Sequence, residues 1–197
     1  MRYAAILLAC ALGTGSAAAD TSRPFTHTDP MLRVRPTSAL GRKVIDAGIT
    51  GSATFRGLMQ RLERSYVIVY VDLRPNMPSG LGGLLEFMGY GGNNRYLHVT
   101  IGSLHHLDVL VALVGHELQH AAEVADAPSV LTAGELEALY RRIGVPSGAG
   151  RYDSAAALSA GLTVRSELRG RHAEVRVASH RPAGEDALLD GGSIAMP

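Results

Sequence analysis

The sequence predicts an α+β domain, and three observations carry that prediction. One run, Tyr66 to Leu73 (YVIVYVDL), is β-branched and almost wholly apolar. A second, Tyr96 to Ile101, alternates, with Leu97, Val99 and Ile101 on one face and Tyr96, His98 and Thr100 on the other. The remaining apolar residues recur at helical spacing in segments bounded by Ser, Thr or Asp at the start and Gly or Pro at the end. Strands and helices that do not alternate regularly argue for an α+β arrangement.

The first residues read as an export signal. Met1-Arg2 is a short positive start, Tyr3 to Leu12 is apolar, and Ala17-Ala18-Ala19 before Asp20 is an A-x-A cleavage site. The alternative is a lipoprotein signal, Leu7-Leu8-Ala9-Cys10, which would leave a lipidated Cys10 at the new terminus. Cleavage after Ala19 leaves about 178 residues, enough for one domain with its own core. The chain has one Cys, at position 10, so a mature chain starting at Asp20 has none. Its metal ligands must then be His and carboxylates, and disulfides cannot hold the fold. Lys and Arg number 19 against 18 Asp and Glu, a net charge of +1, which provides no cationic excess for nucleic acid. After the leader, no stretch approaches the roughly 20 apolar residues that span a bilayer.

Residues 20–36, with Pro24, Pro30 and Pro36, read as an extended arm preceding a domain over 37–178. Thr37 or Ser38 can cap a helix over 39–47 ended by Gly48, and Ser52 or Thr54 a second over 55–64. The apolar run 66–73 is expected to be a central strand buried on both faces. Residues 74–95 contain two Pro, six Gly and three Asn, the composition of a long loop or loose hairpin. Within them, 79–92 lacks the Gly-Lys-Ser/Thr ending of a phosphate-binding loop, and a flap over a cleft is an expected role. Leu104 to Ala125 forms a helix whose stretch Leu107 to Val114 is apolar nearly all round, hence a core helix, and Pro128 ends it. Thr132-Ala133-Gly134-Glu135 is a capping box that opens a helix to Ile143, closed by Gly144. After a Gly/Pro-rich link, Asp153 or Ser154 can cap a helix to Arg169, closed by Gly170. Residues 179–197 read as a poorly ordered tail.

The chemistry lies in the buried helix, at His116-Glu117-Leu118-Gln119-His120. Histidines four apart stand about 40° apart around the axis, so both rings can reach one ion, with Glu117 beside them. Uncharged neighbours, Leu113-Val114-Gly115 and Ala121-Ala122, place the motif in the core, where unpaired His and Glu are costly. Over roughly residues 66–126 the sequence resembles the zincin metallopeptidases, whose HExxH motif this is. The resemblance implies a compact zincin-like domain, with a small sheet packed on the buried helix. It further implies one Zn²⁺ per chain held by His116 and His120, Glu117 as general base, and a peptide or protein substrate.

A catalytic zinc takes a third protein ligand. Glu123 shares the face of the two histidines and is the expected one; its other role would be to orient a ligand histidine. Asp126 stands where the metzincin pattern places its third ligand, but that pattern needs Gly where this chain has Glu123. Glu135 on the next helix matches the gluzincin arrangement and is also a capping residue. Asp153, Glu167 and Glu174 complete the alternatives. Tyr140, Tyr152 and His172 are candidates for stabilising the oxyanion. The half-open strand 96–101 resembles the edge strand of the zincin cleft. His105 and His106, about 15 Å from His116 along the helix, are expected at the surface. The competing reading is a non-catalytic exported domain that keeps the fold and the metal.

Overall fold

The computed structural model describes residues 32–77, 81–148 and 151–179, with backbone alone for 174–179. The expected export signal with Cys10, most of the expected arm, the side chain of Glu174 and the expected tail from 180 onward lie outside the described residues.

A four-stranded sheet is ordered β1 (Val34–Pro36), β2 (Val67–Arg74), β4 (Asn94–Gly102) and β3 (Gly83–Gly91). The first three strands run parallel, and β3 is the antiparallel edge. The apolar run 66–73 is an interior strand as expected, with Val67, Val69 and Val71 fully buried. Leu97, Val99 and Ile101 of β4, also fully buried, join the same core. Val69 pairs with Leu97 and Val71 with Val99, so the apolar residues of adjacent strands fall in rows on one face.

All five helices among the described residues contribute side chains to that core. Helix α1 (Ala39–Gly51) is capped by Ser38, whose side chain accepts from the Gly41 amide. It continues past Gly48 because that glycine lies against the Phe55 ring, where a Cβ would approach within 2.8 Å. Ser52 separates it from α2 (Ala53–Glu63) and accepts from the Phe55 amide. The central helix α3 (Leu107–Asp126) carries the His-Glu-His motif. Val111, Val114 and Leu118 from α3 meet Val44 of α1 and Phe55 and Leu62 of α2 in this core.

Strand β4 is flanked on both sides, which corrects the expectation that residues 96–101 form the cleft edge. The edge is β3, drawn from the segment read as loop or loose hairpin and expected as a flap. Its alternation is short and interrupted by glycine: Leu85 and Phe87 pack on the core, whereas Glu86, Met88 and Tyr90 are exposed. The hairpin is closed by Gly92 (φ 55°) and Asn93 (φ 64°), two left-handed residues that match the twist of antiparallel strands.

Helix α4 (Ala133–Ile143) opens on the expected capping box, with Thr132 accepting from the Glu135 amide and Gly144 following. The link after it is a hairpin of β5 (Gly144–Gly148) and β6 (Arg151–Ser154), pairing Val145 with Asp153. Ser154, and not Asp153, caps α5 (Ala155–Ser179) by accepting from the Ala157 amide at 3.0 Å. This helix runs through Gly170 instead of ending there. An interior glycine costs only about 1 kcal/mol, and no proline occurs between Gly170 and Ser179 to stop the helix. Among the described residues, no helix is long and apolar enough to cross a membrane.

Candidate metal centre

Helix α3 is held at three places. Arg95, nearly buried at the start of β4, donates to the carbonyls of Val124 (2.6 Å), Ala127 (2.8 Å) and Ala125 (3.3 Å). These carbonyls lie at the C-terminal end of α3, where those of Val124 and Ala127 also accept from the Ala127 and Val130 amides, and a cation there meets the negative end of the helix dipole. Gly115 lets α5 approach, since a Cβ there would stand 3.0 Å from Val164. Gly161 of α5 does the same at the motif itself, 3.2 Å from the His116 Cβ.

These contacts bring the histidines against the β5–β6 hairpin. His116 Nε2 lies 3.3 Å and His120 Nε2 3.2 Å from one atom, Asp153 Oδ1. That oxygen is buried and makes no hydrogen bond. Two donors at roughly 2.0–2.1 Å from a tetrahedral ion stand about 3.3 Å apart, so the separations suit a shared cation. Among the described residues this is the group positioned to hold a metal ion. The donor set, two imidazoles and a carboxylate, is one that zinc and other first-row transition metals take.

Glu123 lies elsewhere. Its Oε2 is 3.0 Å from His120 Nδ1, on the opposite side of the ring from Asp153, and its Oε1 accepts from Ser154 at 2.5 Å. Glu123, the expected third ligand, is therefore not in the group positioned to hold an ion; Asp153 is. Helical phase correctly put Glu123 on the histidine face, but its carboxylate reaches Nδ1 of His120, while Nε2 faces Asp153. Burial pushes the Glu123 carboxyl up, but the hydrogen bonds from His120 and Ser154 outweigh it and hold it below its ordinary range.

The two histidines respond oppositely. Burial and the adjacent His120 push His116 down. Burial also acts to lower His120, but its bond to Glu123 and the charges of Glu117, Glu123 and Asp153 raise it overall. Glu117, 5% exposed, is pushed up to about 7 by burial. It faces β3 at Gly83, where any Cβ would collide with the carboxylate, so the edge strand passes as close as a backbone can.

The other candidates are accounted for. Asp126 is exposed and paired with Arg61. Glu135 accepts from the Leu131 amide at 2.8 Å and from Thr132 at 3.0 Å, completing the α4 cap. Glu167 accepts from Ser52 and Thr54 at the start of α2. His105 and His106 are exposed, as expected. His172 is exposed beside Asp108, 3.3 Å away, and does not line the cleft. Tyr140 donates to the His120 carbonyl at 3.0 Å and meets its ring edge-on at 4.9 Å, so it supports the ligand helix. Burial, with the nearby Glu123 and Glu117, raises the Tyr140 phenol far above its usual value. Tyr152 does border the cleft.

The cleft above the motif has a volume of about 430 Å³. Leu84 and Leu85 of β3 form one wall, Leu136 of α4 another, and Arg151 and Tyr152 of β6 a third. Asp153 was legible only as one of several carboxylates, because a local reading made it an alternative helix cap and no pattern announced the β5–β6 hairpin. A sharper signal was available in Ser154, which satisfies the cap alone and frees its neighbour. Comparison of the chain with family models, curated proteins and solved structures gives no match.

Proposed function

We propose that this protein is an exported zinc-dependent hydrolase acting on peptides, with His116, His120 and Asp153 holding one zinc and Glu117 as general base. The observation that carries this reading is the buried, unbonded Asp153 Oδ1 within 3.3 Å of both histidine Nε2 atoms. A buried carboxylate oxygen without a donor is costly, and a shared cation removes the cost. Bound there, zinc would supply Lewis acidity, polarising a carbonyl and acidifying water.

The protein groups have separate tasks. Glu117 takes a proton from water as its oxygen bonds to the carbonyl carbon, then delivers that proton to the amine nitrogen as the C–N bond breaks. Glu123 accepts from Nδ1 of His120 and so fixes the ring with Nε2 directed at the site. Peptide as the substrate class is supported by β3, whose free edge runs beside the cleft and can pair with an extended main chain. Export is supported by the leader-like residues 1–19.

The test is zinc content and hydrolysis of a mixed peptide library, measured on wild type, Glu117→Gln and Asp153→Ala. One zinc per chain, retained without turnover in Glu117→Gln and lost in Asp153→Ala, is the expected outcome. Stoichiometric zinc with no turnover in the wild type would leave a non-catalytic metal-binding domain. Absence of zinc from metal-replete wild type would overturn the metal centre.

A further inference from the structure

Arg151 is the arginine that lines the cleft, and the proposed chemistry does not use it. It is half-buried and borders the cleft, and its side chain makes no hydrogen bond or ion pair among the described residues. The carboxylates near it are otherwise engaged: Glu137 is paired with Arg141 at 2.5 Å, and Asp153 faces the histidines. Arg151 and Asp153 are two residues apart on β6 and project from the same side of the strand, with Cα atoms about 6.6 Å apart. An extended peptide advances at the same rate, so a group held by Arg151 falls within about two residues of the bond presented at the metal centre. A half-buried guanidinium bordering the cleft, with no counter-ion among the described residues, is matched by an anion arriving with the ligand. Its planar fork of donors suits a carboxylate in particular.

We propose that Arg151 is a specificity-determining residue that binds a carboxylate of the substrate, so that the cleft selects peptides with a negative charge within two residues of the scissile bond. The carboxylate belongs either to the peptide's C-terminus or to an Asp or Glu side chain, and the chemistry at Arg151 is common to both. The inference rests on the hydrolase reading for its location, but it is read out by binding alone.

Zinc-loaded Glu117→Gln, which holds peptide without cleaving it, is titrated calorimetrically with two matched pairs of probes. Acetyl-Leu-Leu against its amide tests a terminal carboxylate, and acetyl-Leu-Leu-Glu-amide against acetyl-Leu-Leu-Gln-amide tests a side chain. In at least one pair the carboxylate binds about tenfold more tightly, the scale of a charge-assisted bidentate contact. Adding Arg151→Ala abolishes the difference, and Arg151→Lys restores part of it. Equal binding within both pairs, no binding of any probe, or a preference that survives Arg151→Ala would overturn the proposal. Turnover by the wild type separates the two readings. Cleavage of peptides without charge preference sinks the role of Arg151 alone, whereas an Arg151-dependent preference without turnover of any peptide sinks the peptidase reading alone.

Discussion

His120 Nδ1 and Glu123 Oε2 stand 3.0 Å apart, on the side of the imidazole away from Asp153. The same carboxylate accepts from Ser154, the residue after Asp153 and the cap of α5. One side chain thus ties the helix that supplies two donors to the strand that supplies the third.

Glu123→Gln should therefore weaken zinc binding without removing the site. A second partner of a metal-bound histidine is worth about 10- to 100-fold in affinity. Zinc competition with a chelator checks this, beside Asp153→Ala, for which the loss should be much larger. Equal losses in the two variants would restore Glu123 as a ligand.

Gly83→Ala tests the approach of β3 to the general base. The added methyl collides with the Glu117 carboxylate, and overpacking of this kind costs about 1–3 kcal/mol. Thermal melting should record the loss, and zinc content should stay at the wild-type value because no donor is moved directly. A variant as stable as wild type would mean that β3 or Glu117 yields without strain.

Arg95→Met removes the donor that serves the carbonyls of Val124, Ala125 and Ala127. The Val124 and Ala127 carbonyls keep their backbone donors, so what is lost is the charge-assisted hydrogen bonding, which should cost about 1.5–3 kcal/mol in urea unfolding. Arg95→Lys should recover only part, since an ammonium cannot span the same fork of acceptors.

Glu167 gives a pH dependence with a definite sign. Burial pushes its carboxyl up, but hydrogen bonds from Ser52 and Thr54 prevail and hold it below its ordinary value of 4.5. A carboxyl with a depressed folded-state pKa contributes stability above the unfolded value, and loses it as pH falls through the folded value. Unfolding free energy of Glu167→Gln should accordingly decline less than that of wild type as pH drops below about 4.5. Parallel curves for the two proteins would show that the cap carries no linkage.

Local patterns were legible where one interaction dominated. Val67, Val69 and Val71 had no favourable place except an interior strand, and Thr132 with Glu135 declared the start of α4. His116 and His120 announced a shared face because helical geometry alone makes residues four apart neighbours. That much follows from periods of two and 3.6 residues, which the chain carries in its own order.

Strand β3 and the third donor obeyed no such period. Residues 83–91 are rich in glycine, and their pairing with β4 depends on a two-residue turn and a bulge that alternation does not encode. Asp153 competes with four other carboxylates as ligand until the β5–β6 hairpin sets its Oδ1 between two imidazoles 37 and 33 residues earlier in the chain. Chemistry at short range is written in spacing. Which distant carboxylate completes the site is decided by how α3, α5 and the hairpin pack, because only packing can hold a buried oxygen where no local bond satisfies it.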